Sequence, residues 1–277
     1  MRTSLLSVAL AALLAGPVAA QDAGDDWDIV REPDQKLVMA YTAFDNGLSI
    51  GLRCVDGGYE ALIAGLPAVA EEEEARSLGV AFGDEEMETQ RWNVATNRTV
   101  AVGELPAPFA RKLRLGGRLQ ILVPGGAEDG RNLRYALDLP ASASAVDETL
   151  TSCGRPLVDP RDAELADLPE SGLPLNMVWE QPPRAQYPSV LRYTGGFAVL
   201  TCLTRADGAL RDCVIETEHP RDGGFGEAAL RGAARARVGT SDGSPIPTAR
   251  MMMYRTVFRM AETNARYRTG SHVAPAN

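Results

Sequence analysis

Histidine is almost missing from this chain of 277 residues, which has only His219 and His272. The stretch from Gln21 to Cys153 has none, and no cysteine pair there stands at zinc-ligand spacing, so the usual transition-metal sets are not on offer. It also lacks a Gly-x-Ser-x-Gly elbow and a glycine-rich phosphate loop. Clustered cations are scarce as well. The net charge is -9; Gln21 to Leu175 holds 28 acidic against 14 basic residues, and Asn176 to Asn277 holds 9 against 13. A nucleic-acid partner, which needs grouped Lys and Arg, is therefore not expected. Beyond the first twenty residues no run is apolar enough to span a bilayer.

The residues that could suggest chemistry have plainer readings. His219 precedes Pro220 in a loop and His272 lies in the terminal SHVAPAN; without a nucleophile motif beside them, both are expected as surface histidines. Met251, Met252 and Met253 could suggest copper, but neighbours on a strand point to opposite faces, so core or edge packing is expected. The run Glu71 to Glu74 reads as a solvated face rather than a Ca²⁺ site. No catalytic residue, cofactor or metal is expected, and an enzyme is the weakest of three readings.

What is present begins with an apolar run, Leu5 to Leu14, behind Arg2 and ahead of Gly16-Pro17 and Val18-Ala19-Ala20. This is the pattern of a secretory signal peptide cut between Ala20 and Gln21. A retained membrane anchor is the alternative, although the run is well short of the roughly 20 residues that span a bilayer. Export gives the four cysteines an oxidising compartment, in which three pairings or four buried thiols are open. In TCLTRADGALRDC, Cys202 and Cys213 are equally distant from Asp207-Gly208. A two-residue turn there sets them directly opposite and within disulfide reach; a three-residue turn with a bulge at Gly208 makes them diagonal. That pairing leaves Cys54 for Cys153, a bridge closing about 100 residues and worth about 4 to 5 kcal/mol in the chain-entropy model.

Turn signals cut the acidic segment, residues 21–154, into short strands: LVMAYTAF, LSIGLRC, YEALIAGL, SLGVAF, RWNVAT, RTVAVG, RLQILVP and LRYALDLP. Helices are expected at Ala107 to Leu115 and Ala143 to Ser152. The expected fold class is α+β, opening with a β-rich sandwich or barrel of unassigned role, led by a flexible polar stretch with Asp25, Asp26 and Asp28. The pattern from YTAFDNGLSIGLRC to ALDLPASASAVDETLTSCG resembles small modules of secreted bacterial envelope proteins and brings no activity with it. Residues 155–184 are proline-rich and read as a semi-extended linker with room for a short helix from Arg161 to Leu168.

Residues 185–262 read as a β-β-α-β module. FAVLTCLT and LRDCVIETE flank the Asp207-Gly208 turn. FGEAALRGAARAR sets Phe225, Ala229, Leu230 and Ala233 on one helix face, and Glu227, Arg231 and Arg235 on the other. RMMMYRTVFRM then alternates as the last strand, and residues 263–277 read as a disordered tail. This order resembles the C-terminal domain of TonB-type energy transducers. The matching positions are Tyr187-Pro188, Gly196, Asp207-Gly208, Ala228-Ala229-Leu230 and Val257-Phe258. The resemblance implies a periplasmic module of a Gram-negative cell that adds a segment of an outer-membrane receptor to the edge of its last strand. The edge residues are Arg250, Met251, Met253, Arg255, Val257 and Arg259, with Arg255 and Arg259 on the face away from Tyr254 and Phe258; Tyr187 and Pro188 buttress the sheet. The family's Phe-x-Pro after the helix is Val238-Gly239-Thr240 here. The family's force transmission takes a retained N-terminal helix and a long Pro-rich spacer; with a cleavable segment and a short spacer here, the expectation keeps the binding, in TonB-dependent transport, and leaves energy coupling open. The alternative is a structural or accessory envelope protein whose small module docks on its own acidic module or self-associates.

Overall fold

The computed structural model describes residues 26–189 and 192–260. The expected signal segment with its Ala20/Gln21 junction, Asp25 and the tail from residue 261, His272 included, lie outside the described residues.

The chain is α+β. Its acidic module contributes β1 (Asp28–Glu32), β2 (Leu37–Ala43), β3 (Ser49–Val55), β4 (Gly58–Ala64), β5 (Ala75–Phe82), β6 (Glu88–Val94), β7 (Ala101–Gly103), α1 (Pro106–Leu113), β8 (Gly117–Val123), β9 (Leu133–Leu139) and α2 (Ser144–Ser152). The strands form one antiparallel sheet in the order β1-β2-β3-β4-β7-β6-β5-β8-β9. The expectation of a sandwich or barrel gives way to this single continuous sheet; among the described residues β1 and β9 do not pair with each other. Asp56 and Gly57, both at positive φ, make the tight turn between β3 and β4 that their types favour.

Both helices pack on one face of the sheet. Phe109 of α1 meets the rings of Phe82 and Trp92 edge to face, and the Tyr59 and Thr149 hydroxyls are 2.9 Å apart. Gly154 ends α2 in the left-handed conformation, and the N–H groups of Gly154 and Arg155 close back on Thr151 and Leu150. Cys153 thereby bonds Cys54 of β3 across a Cα separation of 5.4 Å. The polar lead is corrected in one respect: Asp28 opens β1, because Trp27 beside it is buried in the core.

The stretch expected as a linker is largely folded. It holds α3 (Arg161–Ala166) and β10 (Met177–Gln181), and β10 pairs with β13 (Arg237–Thr240) in a two-stranded sheet. Met177 enters the second core, and Trp179 stands edge-on to Tyr254. The rest of that module is β11 (Gly195–Thr204), β12 (Leu210–His219), α4 (Phe225–Ala233) and β14 (Met251–Arg259), in a sheet ordered β12-β11-β14. The expected β-β-α-β thus gains a strand, β13, after its helix. α4 buries Phe225, Ala228, Ala229 and Ala233 but leaves Leu230 only partly covered, and Arg235 falls beyond its end.

The cysteine hairpin resolves the two turn geometries in an unexpected way. Gly208 N–H bonds Arg205 O, and Arg205 N–H bonds Ala209 O, so the loop has three residues and puts Cys202 opposite Asp212. Asp212, at positive φ, is an extra bulged residue that shifts the register by one. Cys213 then faces Cys202 directly, with Cα atoms 4.1 Å apart.

Candidate functional site

β14 is an edge of the three-stranded sheet, and its alternation gives it two jobs. Met252, Tyr254 and Phe258 point to α4, where Phe258 meets Phe225 and Tyr187. Met251, Met253, Arg255, Val257 and Arg259 alternate to the other side. The Met253 N–H points outward and bonds the Gly172 carbonyl at 2.8 Å. By strand alternation, the main-chain groups of Arg255, Val257 and Arg259 point the same way, and none of them has a hydrogen-bond partner across that edge among the described residues.

The six expected edge residues therefore divide. The Arg250 main chain is tied to Thr204 of β11 through bonds of 3.1 Å in both directions, so it offers no edge group, contrary to expectation. Met251 and Met253 are buried, and Met253 is strapped by Gly172, whose left-handed φ no larger residue adopts freely. A Cβ on Gly172 would collide with the Met253 carbonyl. The open edge is Arg255 to Arg259, with Val257 44% exposed at its centre.

The side chains on that second face meet the acidic module. Phe197, Val199 and Met253 share a small apolar cluster with Val102 of β7 and Leu62 of β4. Ion pairs surround it. Arg255 grips both oxygens of Glu104, 2.6 Å at Nε, and Arg259 does the same with Glu74 at 2.8 and 2.6 Å. Glu216, 1% exposed, accepts from Thr201 at 2.6 Å and pairs with Arg155 and Arg161 at 3.4 and 3.3 Å. Arg255 and Arg259 thus face their own chain.

His219 is corrected too. Its ring stacks on Phe197, and Nδ1 reaches the Glu60 carboxylate at 3.2 Å, so it sits between the modules rather than on the surface. Burial pushes the Glu60 carboxyl up, but the hydrogen bond from His219 and the charge and hydrogen bond of Arg53 outweigh it and hold it below the ordinary range. Glu218, turned to the α4 side, accepts the Gly226 N–H at 2.5 Å; burial dominates there and holds it above the ordinary range.

A crevice of about 210 Å³ opens where the two modules meet beside the open edge. Val257, Phe258 and Phe197 line it from the second module, and Arg91, Asn93 and Arg98 from the first. A second, of about 390 Å³, lies between the β3–β4 turn and β12. Among the described residues no group of His, Cys, Asp or Glu is placed to hold a metal ion, and no helix is long and apolar enough to cross a membrane.

No family model matches the chain, and no curated protein matches it. One solved structure, the crystal structure of invasion associated protein B from Bartonella henselae, is similar over 47% of this chain and 95% of its own, at 12% identity and a TM-score of 0.36. A likeness of that degree carries no function across. The chemistry rests on the residues themselves, and Glu60, Glu74, Arg91, Glu104 and Glu216 had no local signal that could have singled them out. Each of the four carboxylates has a partner far away in the chain.

Proposed function

We propose that this is an exported, periplasmic protein-binding protein whose second module, acting as a TonB-like C-terminal domain, adds an extended segment of a partner polypeptide to β14. The observation that carries this reading is the open run of main-chain groups at Arg255, Val257 and Arg259 beside a crevice. Main-chain hydrogen bonds supply affinity in such additions, and side-chain pockets supply choice. Two disulfides support an oxidising compartment. A segment of an outer-membrane transporter is the first partner to try. The test uses the ¹⁵N-labelled chain from Gln21 onward, titrated with synthetic peptides copied from periplasm-facing segments of such transporters. The amides of Arg255, Val257 and Arg259 are expected to shift and to exchange more slowly, those of β12 to stay put. If β14 is silent at millimolar peptide, the reading falls.

The ion pairs of Arg255 with Glu104 and Arg259 with Glu74 favour a second reading, an envelope protein in which the small module serves to brace the acidic one. Under that reading β14 stays silent, and weakening the docked face with salt abolishes whatever the full chain does.

A further inference from the structure

The crevice beside β14 has more positive charge than it can use. Two guanidiniums, those of Arg91 and Arg98, line it with one carboxylate, Glu74, and Arg255 and Arg259 hold their partners beside it. Glu74 is held by both ends of the Arg259 fork and Glu104 by both ends of the Arg255 fork. Arg98 spends a terminal nitrogen on the main-chain carbonyls of Ala70 and Glu73, which cancel no charge. Arg91 has no hydrogen-bond partner among the described residues. Its Nε is shut off from solvent, and the nearest carboxylate oxygen, Glu104 Oε1, is 3.5 Å away and already taken by Arg255. His219 does not add to the surplus, since its ring is engaged with Glu60. With Glu74 taken by Arg259, the lining of the crevice keeps positive charge in a chain of net charge -9, and a desolvated guanidinium nitrogen without an acceptor is costly.

We infer that this crevice is a carboxylate subsite, which takes an acidic side chain of an extended segment added to β14, with Arg91 as its counter-ion. The inference rests on the edge addition proposed above and names the kind of segment it selects. Val257 and Phe197 line the same crevice, so the ligand carries its carboxylate on an aliphatic stem rather than as a bare anion. The volume of about 210 Å³ suits one side chain. A planar carboxylate matches the guanidinium fork, and such charge-assisted pairs are roughly twice as strong as neutral ones.

The test has two arms, read by NMR on the full chain at the Arg91 Nε–H and the Val257 methyls. In the first arm, isovalerate is expected to shift both signals, isoamyl alcohol neither, and inorganic phosphate Arg91 at most. In the second arm, acetylated and amidated Thr-Val-Glu-Val-Thr is expected to bind about tenfold tighter than its Gln counterpart. The Arg91→Gln variant should bring that ratio to about one while both peptides still perturb the Arg255, Val257 and Arg259 amides. The isovalerate arm needs no variant, so a misfolded R91Q leaves the inference open to refutation. An isovalerate response with no peptide addition overturns the edge reading and the use of the pocket by an added strand. Peptide addition with equal Glu and Gln affinity, with a ratio unchanged in R91Q, or with phosphate matching isovalerate at both signals, overturns the subsite and leaves the edge standing.

Discussion

The two faces of the β12-β11-β14 sheet are built on different principles. Toward α4 the contacts are apolar, with Phe225 meeting Tyr187 and Phe258 at ring separations of 5.8 and 5.0 Å, and a disulfide closes the far end. Toward the acidic module a few apolar side chains are surrounded by Glu60 with His219, Glu216 with Arg155 and Arg161, and Glu104 with Arg255. An apolar face can be satisfied by many sequences. A face of buried ion pairs is unforgiving, since removing one member strands the other without solvent, and so it fixes one docked arrangement more than it adds stability. The helix face makes the module; the charged face positions its edge strand and the crevice beside it.

The largest test of this contrast is Phe225→Ala, which empties a fully buried ring site. It should cost about 3 to 5 kcal/mol, measured by urea unfolding of the second module. On the other face, Glu216→Ala takes from Arg155 its carboxylate partner, while Arg161 keeps Asp159, and should cost about 3 kcal/mol, but it should act by separating the unfolding of the two modules rather than by melting either core. If both variants give the same single transition, the two faces are not distinct.

Acidity should separate them more finely. Glu60, held below the ordinary carboxylate range, lends the docked face stability that is complete at neutral pH and is lost as pH falls through its depressed value. Glu218, held above that range on the helix side, has the opposite sign: its contribution is complete in acid and is lost as pH rises through its raised value. Glu218→Gln keeps an oxygen for the Gly226 N–H. It should raise stability at pH 7 by less than about 1 kcal/mol and leave the acid-side loss intact, as urea midpoints across pH 3 to 7 will show. The smallest effect is expected of Arg259→Ser. Its pair with Glu74 is exposed, and the unfolding midpoint should not move measurably.

Much of the fold was legible because turn residues announce themselves. Asp45-Asn46-Gly47, Asp56-Gly57 and Asp129-Gly130 mark loops of the acidic module, and β2 to β6, β8 and β9 fall between such signals close to where alternation puts them. β10 and β13 were not legible. Arg237–Thr240 is four residues without alternation, and its partner lies among prolines, so only tertiary pairing makes either a strand. Cys202 and Cys213 were placed correctly for a reason the spacing hides: one bulge displaces them and a second, at Asp212, restores them. Of the site, the open half of β14 could be read from periodicity. The reading of His219 as a surface residue failed because its surroundings are decided by Glu60, 159 positions away. Charges that pair across modules leave no mark in local sequence.

The bond between Gly172 and Met253 has one more consequence. It blocks the edge at one end, leaving only the span from Arg255 to Arg259, about 15 Å of strand, for anything that adds there. In the proposed addition, a segment sliding along β14 would run into this stop and come to rest in a single alignment, and the folded linker would act as a ruler that decides which residue of the added strand lies over the crevice.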